Sequence, residues 1–238
     1  MKNLVILSGA GMSAESGIST FRDASGLWDK YPVEQVATPE GYARNPELVI
    51  NFYNERRKQL LDVVPNAGHL GVADLERDFN VTVVTQNVDN LHERAGSTHV
   101  IHLHGELTKV CSSRDPYNPH FVKELAPEEY EVKLGDKAGD GTQLRPFIVW
   151  FGESVPEIET AIRYVEQADI FVIIGTSLNV YPAAGLLNYV PRAAEVYLID
   201  PKPVDTHVMR PIHVIQKGAS EGVKELKALL TVTQPPLP

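Results

Sequence analysis

Cysteine is nearly absent from this chain of 238 residues, and Cys111 stands alone. An intrachain disulfide is therefore impossible, and nothing in the sequence points to an oxidising compartment. Basic residues are also in the minority, 22 against 31 acidic ones, and the formal net charge of −9 argues against a nucleic-acid partner. No apolar run is long enough to cross a bilayer, and residues 4–7 are too short for the apolar part of a signal peptide. We expect a cytoplasmic protein with no membrane partner.

Apolar runs and helical patterns alternate along the chain, and 43% of the residues are hydrophobic, enough to bury a core. Five runs have the length and branching of strands buried on both faces: 4–7, 81–85, 147–151, 170–174 and 196–199. Helices are predicted at 47–61, 67–78, 157–167, 182–189 and 221–230, and after Asp89, with Asn45, Pro46 and Gly96 as terminal signals. The alternation predicts an α/β fold with a Rossmann-like, doubly wound parallel sheet.

Two stretches interrupt this alternation. A long loop and a helix stand where the second strand would be expected, and residues 107–143 are polar and rich in proline, glycine and acidic residues. We therefore predict a small second domain, inserted into the first and formed by residues 26–61 and 107–143. The Rossmann-like domain is then formed by residues 1–25, 62–106 and 144–238.

A glycine-rich turn with the pattern G-x-G-x-x-A follows the first strand directly, at residues 9–14. Such a turn lets backbone N–H groups approach a pyrophosphate, but glycine-rich turns also occur without a nucleotide. Hydride-transfer enzymes of this class carry an acidic residue at the end of a second strand, roughly 20 residues further on. Here residues 19–28 read as a loop, so a dehydrogenase is disfavoured.

Five blocks in a fixed order extend this first signal. They are residues 9–23 (GAGMSAESGISTFRD), 85–89 (TQNVD), 102–105 (HLHG), 149–153 (VWFGE), and 175–177 (GTS) followed by 180–182 (VYP). In order and spacing the blocks resemble the sirtuin family of NAD-dependent protein deacylases, over nearly the whole chain. The resemblance implies an enzyme that consumes NAD to remove acyl groups from lysines of other proteins, releasing nicotinamide and O-acyl-ADP-ribose.

The resemblance also implies roles for individual residues. Asn87 and Asp89 would line the nicotinamide pocket, where the acyl-lysine oxygen attacks the ribose C1' to give an alkylimidate. His104 would act as general base through the ribose hydroxyls, whereas His102 receives no catalytic role. The implied NAD contacts are Gly9, Ala10, Gly11, Ala14, Glu15, Phe21, Arg22, Gln86, Asn87, Asp89, Gly175, Thr176, Ser177, Asp200 and Ala219, with Asp23 in the same loop as Arg22.

Substrate contacts are implied in the same way. The peptide would lie as an extra strand against segments 149–152 and 178–181, with Phe151 and Val180 lining the acyl-lysine tunnel. The implied substrate residues are Tyr53, Arg56, Ala37, Val149, Phe151, Gly152, Val180 and Tyr181. By residue type alone there are plainer interpretations: a structural histidine at 104, turn-forming amides at 86 and 87, a simple turn at 175–177, and core packing for Phe151 and Val180.

The chain departs from the family pattern at the zinc site. Most sirtuins hold a structural zinc ion with four cysteines in two C-x-x-C pairs, and this chain has only Cys111, at the first of those positions. Four thiolates are impossible, and His120 with scattered acids offers no recognisable zinc spacing. We predict no zinc, with residues 107–143 held by a small apolar cluster or by the sheet domain. A substitute site that uses His120 is the alternative.

A second motif concerns the acyl group. Tyr53 and Arg56 match the Y-x-x-R motif of sirtuins that remove acidic acyl groups, and at i and i+3 on a helix they share a face. A hydroxyl and a guanidinium can grip a carboxylate, and Ala37 matches the small residue that widens the pocket. The alternative is that Arg56 belongs to the solvated charged run 55–58. We predict removal of succinyl and malonyl groups, with acetyl groups also accepted.

Two alternative functions would use the same NAD site. A mono-ADP-ribosyltransferase would pass ADP-ribose to a protein, and a non-catalytic NAD-sensing module would fit a degenerate relative, although His104, Asn87 and Asp89 are all retained. The sequence does not fix the oligomeric state, and a monomer is our working expectation.

Overall fold

The computed structural model describes residues 1–19, 31–206 and 208–232. These residues form nine strands: β1 (Asn3–Ser8), β2 (Asn80–Thr85), β3 (Val100–His102), β4 (Gly105–Ser112), β5 (Lys123–Glu124), β6 (Leu144–Ile148), β7 (Ile170–Ile174), β8 (Glu195–Ile199) and β9 (His213–Ile215). Six of them form one sheet in the order β3-β2-β1-β7-β8-β9, and every neighbouring pair is parallel. The predicted α/β fold with a doubly wound parallel sheet is confirmed.

Helices cover both faces of this sheet. The α-helices are Gly11–Ala14, Val33–Val36, Pro39–Arg44, Pro46–Asp62, Ala67–Asp74, Leu91–Arg94, Ile158–Val165 and Ala219–Val232, and the 3-10 helices are Leu75–Arg77, Pro119–Phe121, Pro127–Glu129 and Ala183–Tyr189. On one face, Ala67–Asp74 and Ala219–Val232 pack against Leu4 and Ile6. On the other face, Ile158–Val165 and Ala183–Tyr189 pack against the alternate side chains of β1. No helix in the described residues is long and apolar enough to cross a membrane.

Four predicted strands lie in the parallel sheet, but the fifth, at residues 147–151, was assigned wrongly. The strand is Leu144–Ile148, and it pairs antiparallel with β4 in a separate sheet of order β5-β4-β6. Pro146 explains the difference, because a proline has no N–H and is confined to edge strands or bulges. β6 is an edge strand of the small sheet, and its pairing with β4 is irregular between Gly105 and Val110. The predicted residue boundaries of the two domains stay a prediction.

The helix Pro46–Asp62 packs against the small sheet. Its start is as predicted, since the Asn45 side chain accepts a hydrogen bond from the Leu48 N–H and Pro46 is the first helical residue. Its buried side chains join Leu107, Ile148 and Trp150 in a third apolar cluster. The apolar stripe of this helix therefore fixes its orientation toward the loop that follows β6.

The residues of the small sheet do not fit the zinc ion that the resemblance implies. Cys111 is fully buried and donates a hydrogen bond to the Pro146 carbonyl at 3.7 Å. Burial raises the pKa of its thiol to about 12, so the sulfur is protonated rather than a thiolate ligand. Within the described part of the chain, no group of three or more His, Cys, Asp or Glu side chains could hold a metal ion. That the protein binds no zinc stays a prediction.

The Asp140 carboxylate links two segments of the small sheet, the end of β4 and the loop before β6. Asp140 accepts hydrogen bonds from the hydroxyls of Ser112 and Thr142, both at 2.7 Å, and from the Thr142 N–H at 3.0 Å. The Ser112 hydroxyl in turn accepts from the N–H groups of Arg114 and Asp115, each at 3.0 Å. Asp140 therefore cross-links the end of β4 to the loop before β6, and the Thr142 bond, above all, lowers the pKa of its carboxyl to about 2.

We expect Asp140→Asn to lower the Tm by roughly 2–4 °C in a thermal melt, a shift typical of a modest loss of stability in a chain of this size. The asparagine side chain keeps one acceptor oxygen, for Thr142. Its NH2 group would face the Ser112 hydroxyl and could not accept the hydrogen bond that this hydroxyl donates to Asp140. Because the folded pKa of about 2 lies below the unfolded value of about 3.9, the contribution is present above pH 4 and is lost as the pH falls toward 2.

Glu131→Gln, which neutralises an exposed carboxylate of the same segment, is the matched control and should leave the Tm unchanged. The melt is repeated with a chelator. A wild-type Tm that falls on chelation would show that a metal, and not the Asp140 contacts, holds this segment.

Candidate active site

The carboxyl ends of β1 and β7 lie where the strand order reverses, the position at which open α/β sheets bind ligands. The loops that follow these two strands are joined through their backbones. Gly9 N–H donates to the Ile174 carbonyl at 3.0 Å, and Gly11 N–H donates to the Gly175 carbonyl at 2.9 Å. The predicted glycine turn and the predicted 175–177 turn therefore form one wall of a single crevice.

Glycine is required on both sides of this contact. A Cβ on Gly9 would lie 2.8 Å from the Gly175 carbonyl oxygen, and a Cβ on Gly11 would lie 2.7 Å from the Gly175 Cα. Gly175 itself has φ +62°, and its Cβ would lie 2.4 Å from the Met12 nitrogen. Bare backbone therefore lines this wall, which suits the close approach of a pyrophosphate.

Asn87, Asp89 and Ser13 form a hydrogen-bonded unit in the floor of the crevice. The Asn87 amide donates to the Gly9 carbonyl and to the Ser13 hydroxyl, both at 3.1 Å, and the Ser13 hydroxyl donates to Asp89 at 2.9 Å. The other oxygen of Asp89 accepts from the Leu91 N–H at 3.1 Å. Burial raises the pKa of Asp89, although the bonds from Leu91 and Ser13 oppose the rise.

His104 follows β3, beside this unit. Its Nδ1 lies 3.0 Å from the Gln86 carbonyl oxygen, which can only accept, so Nδ1 carries the proton and Nε2 keeps its lone pair. No residue in the described ranges hydrogen-bonds to Nε2. Burial lowers the pKa of His104, with the Gln86 bond opposing. The imidazole is therefore neutral near pH 7 and can accept a proton at Nε2.

His102 supports the same loop from the neighbouring position. Its Nδ1 lies 3.1 Å from the Asn87 carbonyl oxygen, and its Nε2 lies 2.7 Å from a Glu93 carboxylate oxygen. Burial opposes protonation of this ring, but the hydrogen bond and the charge of Glu93 outweigh it and raise the pKa of His102. The two histidines thus hold consecutive carbonyls, those of residues 86 and 87, and His102 acts as a support.

Two further histidines, not predicted from the sequence, lie beneath the floor. His69 Nδ1 accepts from the Asn66 N–H at 3.3 Å, which leaves Nε2 as the donor toward the Ser13 hydroxyl at 3.5 Å. His92 Nε2 lies 3.0 Å from the Ser8 hydroxyl, and the two rings meet edge to face at 4.9 Å. Both side chains are at most 2% exposed. The Ser13 hydroxyl is therefore saturated, with one bond donated and two accepted.

The other residues with implied NAD contacts are spread around the crevice. Gln86 donates to the Thr176 hydroxyl at 3.0 Å, and Glu15 accepts from the Ser220 N–H at 3.2 Å, beside Ala219. Asp200 follows β8 and accepts from the Lys202 N–H at 2.8 Å. Ala10 and Ser177 lie on the loops after β1 and β7, and Ala14 ends the short helix Gly11–Ala14 that follows the first of these loops. Phe21, Arg22 and Asp23 lie outside the described residues.

The loop after β6, residues 149–153, is tied to both the candidate base and the small helices. Val149 N–H donates to the His104 carbonyl at 2.9 Å, and Phe151 N–H donates to the Ala37 carbonyl at 3.0 Å. Phe151 is 47% exposed, and Tyr181, on the loop after β7, is 72% exposed. Val149 and Val180 are partly buried, and Gly152 is exposed with φ +92°. Core packing is therefore not the explanation for Phe151.

Of the two motif residues, Tyr53 packs in the same apolar cluster as Ala37, and Arg56 lies over the ring of Phe52. Tyr53 and Ala37, each 5% exposed, belong to the same apolar cluster, and Tyr53 accepts a hydrogen bond from the Trp150 indole N–H at 3.1 Å. The Arg56 guanidinium lies 5.6 Å from the centre of the Phe52 ring, and its buried Nε has no hydrogen-bond partner among the described residues. Burial lowers the pKa of Arg56 and raises that of Tyr53.

Comparison with known proteins gives consistent results. Residues 9–182 match the model of the Sir2 family. An NAD-dependent protein deacylase of Bacteroides thetaiotaomicron is 84% identical over 230 residues, which cover 97% of this chain and 98% of that protein. One from Helicobacter pylori is 51% identical over 226 residues, 95% of this chain and 96% of that protein.

Solved structures agree. A Sir2 homologue in complex with NAD has 39% identity and a TM-score of 0.83, over 97% of this chain and 90% of that one. A Sir2 complex with a deacetylated p53 peptide and 3'-O-acetyl ADP-ribose has 28% identity and a TM-score of 0.79, over 95% of this chain and 92% of that one.

The histidines beneath the floor should make the fold sensitive to acid. Burial lowers the folded pKa of His69 to about 4, against about 6.5 when unfolded. A depressed folded pKa means that the unfolded chain binds the proton first, so stability is complete above pH 6.5 and falls as the pH drops toward 4. We expect the free energy of unfolding, measured by denaturant titration, to be about 2 kcal/mol lower at pH 5 than at pH 7.5 through His69 alone.

His69→Asn is the matched variant, because it removes the titrating ring and keeps a short polar side chain. It should show a smaller loss of stability between the two pH values than the wild type. An equal loss in both proteins would assign the acid sensitivity to other groups.

Proposed function

The chain belongs to the Sir2 family and is an NAD-dependent protein deacylase, and on this premise we propose that it removes succinyl and malonyl groups, as well as acetyl groups, from lysine side chains. The observation that carries the proposal is a pair of hydrogen-bond donors, on Tyr53 and Arg56, that have no acceptor in the described residues.

The Tyr53 hydroxyl is oriented by its neighbour. An indole N–H can only donate, so the Tyr53 oxygen accepts from Trp150 and its own proton remains available. No described residue accepts that proton. A buried hydroxyl proton without an acceptor costs free energy, which an incoming ligand oxygen would recover. Tyr53 thus favours an acyl group whose distal end carries a hydrogen-bond acceptor.

Arg56 adds the charge. Its guanidinium forms no ion pair with a described residue, and even with a lowered pKa it stays cationic at neutral pH. A carboxylate can accept from both the guanidinium and the Tyr53 hydroxyl, whereas the methyl group of an acetyl can accept from neither. Since hydrogen bonds to charged groups are worth roughly 1.5–3 kcal/mol, the pair supports a preference for an acidic acyl group of roughly 10- to 100-fold.

The residues around the crevice support the reaction of the family. NAD, when bound, supplies the sugar carbon that releases nicotinamide and the hydroxyl that receives the acyl group. The bare backbone of Gly9, Gly11 and Gly175 fits its pyrophosphate, and we assign the nicotinamide pocket to Asn87 and Asp89. His104 accepts a proton at Nε2, because its Nδ1 proton is committed to the Gln86 carbonyl. Phe21 and Arg22 stay assigned to the NAD site, and so do Ala10, Ala14, Glu15, Gln86, Thr176, Ser177, Asp200 and Ala219.

The partners follow from the same site. We assign binding of the acylated protein to Val149, Phe151, Gly152, Val180 and Tyr181, with main-chain hydrogen bonds giving loose sequence selectivity. The net charge of −9 favours basic, lysine-bearing segments over nucleic acid. We also propose that the enzyme acts in the cytoplasm as a monomer.

His104→Ala should abolish formation of the deacylated peptide and of O-acyl-ADP-ribose, because no base then accepts the proton from the ribose hydroxyls. In the wild type, the base must be neutral, so kcat/KM should rise with pH and level off above the pKa of His104. Burial lowers that pKa, and the acid limb of the profile should therefore lie below about 6.5. An active His104→Ala enzyme, or an acid limb that the variant retains, would remove His104 from the mechanism.

The acyl preference is tested with one peptide in succinyl-lysine and acetyl-lysine forms, and mass spectrometry follows the deacylated peptide, nicotinamide and acylated ADP-ribose. We expect Arg56→Met to lower the succinyl-to-acetyl ratio of kcat/KM by roughly 10- to 100-fold. Lys58→Met, which removes an exposed cation from the same helix, should leave the ratio unchanged. Equal losses on both peptides in Arg56→Met would contradict a carboxylate clamp. ADP-ribose retained on protein would indicate a transferase instead.

A further inference from the structure

Trp150 is held rigidly in the loop after β6. The Arg145 guanidinium lies 3.4 Å from the centre of the indole ring, and the Tyr42 ring packs against it at 5.2 Å. Trp150 is 2% exposed, and its backbone N–H donates to Glu153 at 2.8 Å. Its ring is therefore held by contacts with a buried guanidinium and a partly buried tyrosine ring.

The group that fixes the ring is itself fully paired. Arg145, 4% exposed, donates to the two carboxylate oxygens of Glu153 at 2.7 and 3.1 Å and to the Ile148 carbonyl at 2.7 Å. Glu153 also accepts from the Tyr117 hydroxyl at 3.3 Å. A bidentate ion pair with this many contacts has one favourable geometry. The indole stacked on Arg145 consequently has little freedom to turn its N–H elsewhere.

That N–H is the single polar hydrogen of the indole side chain, and it points at the Tyr53 hydroxyl oxygen, 3.1 Å away. The bond occupies one lone pair of the oxygen and so turns the Tyr53 proton away from Trp150. Without it, the hydroxyl could rotate through that position and donate elsewhere. The direction in which Tyr53 donates is thus determined by Trp150.

We propose that Trp150 is a positioning residue for acyl selectivity: its indole N–H holds the Tyr53 hydroxyl in the orientation that donates to the carboxylate of an acidic acyl group. The inference rests on the proposed function, since it assumes that Tyr53 meets that carboxylate. It adds that a residue of the substrate-binding loop, which does not itself touch the acyl group, tunes the preference for it.

The loop also connects this role to the rest of the site. The residues that flank Trp150 donate their N–H groups to the carbonyls of His104 and Ala37. Trp150 thus lies between the candidate base and the small residue of the acyl pocket. Its backbone belongs to the peptide-binding segment, and its side chain sets a hydroxyl at the far end of the acyl group.

The test is Trp150→Phe, which keeps an aromatic ring for Arg145 and Tyr42 and removes the N–H. We expect the succinyl-to-acetyl ratio of kcat/KM to fall roughly threefold to tenfold, the range that one neutral hydrogen bond supports. The change should appear mainly in the KM for the succinyl peptide. Tyr42→Phe is the matched control, because it alters the other aromatic neighbour of the indole, keeps its ring, and leaves the bond to Tyr53 in place. This variant should keep the wild-type ratio.

A double-mutant cycle with Tyr53→Phe decides whether Trp150 acts through the hydroxyl. In the Tyr53→Phe background, Trp150→Phe should lower the ratio no further. A wild-type ratio in Trp150→Phe, or an equal additional fall in the double variant, would overturn the inference while leaving the carboxylate clamp intact. If Tyr53→Phe and Arg56→Met both keep the wild-type ratio, the proposed acyl preference fails first, and the inference fails with it.

A second measurement needs no change at position 150. The chain has two tryptophans, so an indole ¹⁵N label gives two N–H resonances, and the one that shifts in Tyr53→Phe is assigned to Trp150. Succinyl peptide should shift this resonance more than acetyl peptide, because the carboxylate changes the charge on the Tyr53 oxygen. Equal shifts with the two peptides would contradict the inference even if Trp150→Phe does not fold.

Discussion

The close backbone contact between the loops after β1 and β7 is the constraint on which the site depends. Gly9 and Gly11 meet Gly175 so tightly that no Cβ fits on any of the three. A parallel sheet places the ends of neighbouring strands side by side, but only glycine lets their loops touch through the main chain. The contact fixes the Gly9 carbonyl, which orients the Asn87 amide, and it leaves a wall of bare backbone for the dinucleotide.

Buried polar groups then build the floor outward from this wall. Asn87 donates a hydrogen bond to the Ser13 hydroxyl, which donates to Asp89. His69 provides the remaining hydrogen-bond partner of the Ser13 hydroxyl. In a water-excluded site such a chain is favourable only when every member has a partner. The same burial that lowers the pKa of His104 also lowers that of His69. They differ in their partners: among the described residues only Nδ1 of His104 has a hydrogen-bond partner, whereas both ring nitrogens of His69 have one.

The sequence allowed most of the frame and the chemistry to be predicted, because both rest on local patterns. Buried strands are recognisable as apolar runs, and Asn45 and Pro46 mark a helix start. The glycine turn is recognisable because the close backbone contact at this position requires residues without a Cβ. β6 was misplaced because an apolar run does not reveal its sheet, and Pro146 was the one local signal against a central strand. His69 and His92 were missed since their roles depend on contacts across more than 50 residues of sequence.

The loop after β6 shows how one segment can connect two parts of the candidate site. Its Trp150 and Glu153 pair with Arg145 of β6, so a strand of the small sheet holds the loop from within. The backbone of this loop reaches His104, and its indole reaches Tyr53. A shift of the small sheet would therefore move both His104 and Tyr53. Under the proposed function, the general base and the acyl pocket are therefore both held through one buried ion pair, that of Arg145 and Glu153.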